Sequence, residues 1–142
     1  MAFTLWAVWQ ATGAKRAATE AREAVYRRNA ADAMVEIVRI AGQLNASVQH
    51  DRWVEASMQM RELVFQIPKL REEFASFLAA DADRLRNVES NCIRWAADFH
   101  VSWPVPLPVA NKSDLIKDTL NMVQELSAIQ GRLRRMLDQE EL

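Results

Sequence analysis

The 142-residue sequence contains one cysteine, two histidines, three glycines and four prolines, and each shortage closes off a class of protein. A single cysteine cannot form an intramolecular disulfide, and nothing marks an oxidising compartment. Three glycines in 142 residues is about a third of ordinary usage, which argues against collagen-like, linker-rich and turn-dense all-β chains. Gly13, Gly42 and Gly131 are isolated, so neither a P-loop nor a dinucleotide-binding fold is available. Di-iron bundles use Glu-x-x-His on two helices, whereas here Ser47 precedes His50 and Ala97 precedes His100 by three. With so few His and Cys, a four-ligand zinc site would need acidic or exogenous ligands. No metal and no cofactor is expected, and no small-molecule ligand is evident. The net charge of -1, from 18 basic and 19 acidic residues, gives no overall pull on nucleic acid.

What is present is apolar periodicity. Half of the residues are hydrophobic, and a chain of this length can bury about two-thirds of its surface in one domain. Pro104, Pro106 and Pro108 cannot lie in a helix interior and mark a linker. From Lys69 to Trp103 there is neither Gly nor Pro, which suits long helices. Trp53, Ala56, Met60, Leu63, Ile67, Leu70, Phe74 and Phe77 alternate steps of three and four, a helical seam of the a/d type. Its phase runs through Pro68, which kinks the helix or opens a new one at its first position. Leu78, Leu85, Cys92 and Phe99, with Val88 and Trp95, continue one residue out of phase. The slip near Leu78 to Asp81 predicts a tight turn or a stutter, with Asp81 and Asp83 as caps or first-turn acids.

Upstream, Ala17, Ala21, Ala24, Ala31, Val35, Val38 and Leu44 line one broad face. Asn45, Ser47 and Asp51 bracket a break, with Asp51 an N-cap for the next helix. Ser113 or Asp114 caps a last helix carrying Leu115, Met122, Leu126, Ile129, Leu133 and Met136. The expected fold is all-α: an antiparallel bundle of three to four long helices with coiled-coil character, near 15–46, 52–79, 82–101 and 112–139. The alternative fuses the middle two into one helix of about 75 Å. Cys92, on an apolar seam, is expected to be buried and inert.

Residues 1–14 carry no charge, and Lys15 and Arg16 follow at once. The chain therefore divides into an apolar segment, 1–14, and a bundle domain, 15–142. The segment looks like part of a membrane anchor, since a full span needs about 20 apolar residues and a signal peptide needs a basic start. Trp6 and Trp9 suit a membrane interface, with Lys15 and Arg16 at its cytoplasmic end. The alternative is that Phe3, Leu5, Trp6 and Trp9 extend the first helix and bury themselves against the bundle or a second copy. Lys15, Arg16, Arg22, Arg27 and Arg28, interrupted by Glu20 and Glu23, fit anionic head groups better than a DNA groove.

Two resemblances bear on function. The order Phe3-Thr4-Leu5-Trp6-Ala7-Val8-Trp9, an Ala/Arg/Glu-rich helix, then His50-Asp51-Arg52-Trp53-Val54-Glu55-Ala56 with Arg61 and Leu63 resembles a group of short bacterial proteins of unassigned function. Those have one N-terminal membrane helix and a cytoplasmic helical region, which implies attachment at the cytoplasmic face of the inner membrane and no activity. Separately, Arg94-Trp95-Ala96-Ala97-Asp98-Phe99-His100 resembles the motif of HEPN-type ribonucleases. That resemblance implies His100 as general acid/base on a 2′-hydroxyl and Arg94 as phosphate holder, with Trp95 where the motif usually has a polar residue. The leading expectation is a non-enzymatic interaction or scaffolding module, membrane-associated through Phe3, Leu5, Trp6, Trp9, Lys15 and Arg16. Its partners would be a second copy, a helical protein or an anionic membrane surface. The alternative is an RNA-cleaving helical domain using Arg94 and His100.

Overall fold

The computed structural model describes residues 2–102 and 109–140. Four helices carry them: α1 (Ala2–Gln49), α2 (Trp53–Glu73), α3 (Ala82–Ser102) and α4 (Val109–Glu140), with a 3₁₀ turn at Ala79–Asp81 leading into α3. α1 packs against both α2 and α4, α2 packs against α3, and the α3–α4 seam is the least extensive. The directions alternate. Tyr26 in α1 meets Phe74 at the far end of α2, with ring centroids 4.9 Å apart, and Asn45 near the end of α1 bonds Ile116 and Thr119 near the start of α4. The result is an antiparallel four-helix bundle.

The α2 seam is buried as its spacing predicts. Ala56, Met60, Leu63, Ile67, Leu70 and Phe74 lie in the core, and Trp53 and Phe77 pack against it. Pro68 sits inside α2, so the helix continues through it. Leu78, Leu85, Val88, Cys92, Trp95 and Phe99 complete the core from the α3 side, and Leu115, Met122, Leu126, Ile129 and Leu133 from α4. Between Phe74 and Asp81 the chain turns, held by Leu78 N–H to Phe74 C=O at 2.9 Å and Asp81 N–H to Leu78 C=O at 3.0 Å. That turn excludes the single long helix over 52–101. Asp81 and Asp83 stand as acids in the first turns of the 3₁₀ segment and of α3; Asp81 is also buried, 4% exposed, and ion-paired with Arg132 of α4, whose Nε lies 2.6 Å away. Burying a carboxylate is tolerable here because its charge is met by a guanidinium.

Three other expectations change. First, α1 does not begin near residue 15 but runs 48 residues, about 72 Å, with residues 1–14 and 15–46 joined in one helix from Ala2. Its buried stripe is Ala30, Met34, Ile37, Ala41, Leu44 and Val48. Of the face expected from Ala17 to Leu44, Ala17, Ala21, Ala24 and Val35 are exposed. Met34, Ile37 and Ile40 bury more apolar surface than alanines can, and they turn the helix by about one residue. Second, Asn45 and Ser47 lie within α1, and Asp51 closes α1 rather than opening α2. Arg52 N–H bonds Ser47 C=O at 2.8 Å and Asp51 N–H bonds Val48 C=O at 3.3 Å, with Asp51 at φ 57°. This is a Schellman closure with Asp in the left-handed position. Third, α4 starts at Val109, with Ser113 and Asp114 exposed within it. Lys112, 2.7 Å from Asp51, ties the first turn of α4 to the α1–α2 connection. The linker expected around Pro104, Pro106 and Pro108 lies outside the described residues.

Two stability predictions follow from this packing. Met60→Ala or Leu63→Ala, both at fully buried positions, should each cost about 2–5 kcal/mol in urea unfolding, while Val35→Ala should cost less than about 0.5 kcal/mol. Asp51→Gly should be close to neutral, because relief of the left-handed side chain offsets the lost Lys112 ion pair. Asp51→Val should lose about 1–2 kcal/mol, because a β-branched side chain fits that region far worse than Asp.

Candidate functional site: the N-terminal arm

α2 is 21 residues long, about 32 Å, so it lines less than half of α1. Every residue from Phe3 to Val25 is exposed, and this part of α1 stands clear of the bundle as an arm. Local sequence keeps it helical. Eight alanines between Ala2 and Ala24 supply the strongest intrinsic helix former, and Glu23 and Arg27 form an i,i+4 ion pair at 3.7 Å. At the base of the arm, the Tyr26 hydroxyl donates to Glu73 C=O at 2.7 Å, and the Arg27 guanidinium lies 5.9 Å from the Phe77 ring centroid. These contacts fix the arm's exit from the bundle.

The residues singled out at the N-terminus sit together at the arm's tip. Phe3, Leu5, Trp6 and Trp9 are 86%, 75%, 58% and 74% exposed, and Val8 beside them is 59% exposed. Lys15 and Arg16 follow within two turns, also exposed. None of the tip side chains folds back onto the bundle, which corrects the alternative in which they pack against it. Among the described residues, no helix is long and apolar enough to cross a membrane.

The Arg94 and His100 pair is placed differently. Arg94 donates to Asp118 Oδ2 at 2.8 Å, and the same oxygen accepts from Trp95 Nε1 at 2.8 Å. The Arg94 guanidinium also lies 5.4 Å from the Trp95 ring centroid. Arg94, Trp95, Asp98, Asp114, Lys117 and Asp118 line an open depression of about 400 Å³ between α3 and α4. Positions 94 and 100 both fall in the unbroken α3, where a six-residue step separates them by about 9 Å and leaves them about a third of a turn short of two whole turns. They therefore lie on different sides of the helix. The side chain of His100 lies outside the described residues. Asp118, the group that engages Arg94, carries no sequence signal: one aspartate among the charges of an amphipathic helix looks like any other.

Chemistry elsewhere is sparse. Cys92 is fully buried, with its thiol 3.7 Å from Met122 Sδ. Burial, and then the charge of Glu89, push the thiol up to about 12. On the surface, the Arg39 hydrogen bonds hold Glu36 below the usual carboxylate range and raise Arg39 in turn. Among the described residues, no group of three or more His, Cys, Asp or Glu is placed to hold a metal ion. Comparison with protein-family models, curated proteins and solved structures gave no match.

The raised thiol has a definite sign. The folded state keeps its proton above the ordinary value of 9.0, so the stability it contributes is intact below pH 9 and is lost as pH rises from 9 towards 12. Cys92→Ala should flatten that part of the stability–pH curve relative to the parent chain. In native protein at pH 8 the thiol should resist Ellman's reagent, and it should react fully once the chain is unfolded in urea.

Proposed function

We propose that the chain is a non-enzymatic helical interaction and scaffolding module, held at a membrane by the N-terminal arm of α1. The observation that carries this is the arm itself: a helix projecting from a packed bundle, tipped with five large apolar side chains between 58% and 86% exposed. Such a cluster costs free energy in water and has to be covered by something. Directly behind it come Lys15 and Arg16, and further along Arg22, Arg27 and Arg28, the charge order of a segment that meets the anionic face of a bilayer.

The bundle would supply the partner surface. Val54, Met58 and Phe65 are 53%, 65% and 65% exposed on α2. Steps of four and seven put them on one side of that helix, opposite its core seam. A stripe of this kind fits a further helix, from a second copy or from another protein, pairing by apolar contact. Lys69 lies 6.0 Å from the Phe65 ring centroid, which shields part of the stripe in the free chain.

Sedimentation with phosphatidylglycerol-rich vesicles tests the attachment. The full chain should pellet with the vesicles; Lys15→Glu/Arg16→Glu should weaken binding by at least about tenfold, at about 1 kcal/mol per basic charge near the surface. Deleting residues 2–14 should abolish pelleting and leave cooperative thermal unfolding intact. Indifference of the full chain to lipid would reject the membrane role.

A further inference from the structure

The arm could meet a bilayer in two ways, lying along it or entering it tip first. We infer that it enters along its own axis, embedding residues 2–14 among the acyl chains and holding the bundle upright above anionic head groups. This rests on the membrane attachment proposed above and specifies its geometry and ligand: lipid acyl chains at the tip, anionic head groups behind.

The distribution of the tip side chains carries the inference. An interfacial helix needs one apolar and one polar face. Here Phe3, Leu5, Trp6, Val8 and Trp9 lie at about 0°, 200°, 300°, 140° and 240°, an arc of about 220°, and the remaining sector is no polar face, since Ala7, Ala11 and Ala14 fill it with Thr4. A partner helix or a membrane surface covers one stripe, leaving the rest in water, whereas acyl chains surround the whole circumference. A helix that is apolar all round belongs in an apolar medium.

Polarity changes along the arm rather than around it. Among residues 2–14 the polar side chains are Thr4, Gln10 and Thr12, and the Thr12 hydroxyl donates to Val8 C=O at 2.8 Å. That bond satisfies the hydroxyl within the helix, lowering the cost of taking it out of water. Residues 15–28 then hold five basic and two acidic side chains, a net positive collar at the level where head groups would lie. The embedded length is about 20 Å at 1.5 Å per residue, against a hydrocarbon core of about 30 Å. From Lys15 to Tyr26, which packs on Phe74 at the end of the bundle, is about 16 Å or three turns, so the bundle stands clear of the acyl chains.

Positions 4, 11 and 18 allow a direct test. They are exposed, and steps of seven keep them on nearly the same side of the helix while separating them by about 10 Å along it. Thr4→Cys, Ala11→Cys and Ala18→Cys would each be labelled with an environment-sensitive fluorophore under native conditions, where Cys92 is buried. Bound to phosphatidylglycerol vesicles carrying quenchers at defined depths, the labels should grade from deepest at position 4 to the head-group level at position 18. Equal depth at all three would overturn tip-first entry while leaving attachment standing; failure of the unlabelled chain to pellet would remove both. A second variant separates lipid from a docked protein. Two alanines inserted between Ala18 and Thr19 turn the tip by about 200° relative to the bundle. Lipid affinity should stay within about twofold, because acyl chains have no preferred azimuth. A tenfold loss would mean that the tip is recognised from one side, which contradicts the inference.

Discussion

The rest of the structure depends on α1 burying a single stripe that two other helices share. Ala30, Met34, Ile37, Ala41, Leu44 and Val48 face inward, and both α2 and α4 pack on this part of α1. Small residues at 30 and 41 let the neighbours approach, and the larger ones interlock with them. Because the partners extend no further than about residue 26, where Tyr26 and Phe74 close the end of the bundle, the preceding six turns of α1 have nothing to pack against. The arm is thus a consequence of unequal helix lengths, and its helicity rests on alanine content and local ion pairs rather than on burial.

Apolar seams alone would allow the helices to slide past one another by a turn. Polar contacts between distant residues fix the register. Asn45 donates to Thr119 Oγ1 at 2.9 Å and to Ile116 C=O at 3.2 Å, while Arg132 meets buried Asp81 and Asp118 holds both Arg94 and Trp95. Each leaves a buried or half-buried polar group unpaired if the register shifts, a cost of about 1–3 kcal/mol per group. All three involve α4, with Asp118 and Thr119 near its start and Arg132 near its finish. The α3–α4 seam, with the thinnest apolar contact, is bridged by charge at Arg94–Asp118 and at Arg84–Glu125, 3.7 Å apart.

The one thiol is buried and its proton is held, Arg94 is occupied by Asp118, and the large exposed apolar groups are concentrated at the arm's tip and along the outer face of α2. The helix is continuous from tip to core, so the orientation of one is tied to that of the other. Attachment at the tip would therefore set how the α2 face is presented to a partner.

Much of the fold was legible from spacing. The seam residues from Trp53 to Phe77, those from Leu78 to Phe99, and Leu115, Met122, Leu126, Ile129 and Leu133 of α4 lie in or against the core because burial of a helix face imposes its period on the sequence. The buried stripe of α1 lies about 100° from the face its alanines suggest, because alanine is equally at ease exposed or buried and its positions carry little information about which side faces in. Asp51 could cap either neighbour, and only the path of the chain made it a left-handed closure. The aromatic, uncharged N-terminus and its basic collar were also visible as composition. Sequence by itself determined the helices, their apolar faces and the local chemistry of residues 1–16, all of which depend on neighbours within a few turns. Tertiary structure decided which face of α1 is buried, that Asp81 meets Arg132 and Asp118 meets Arg94, and that the arm stands free. Those outcomes depend on relative helix lengths and on pairs separated by up to fifty-one residues, which no local pattern encodes.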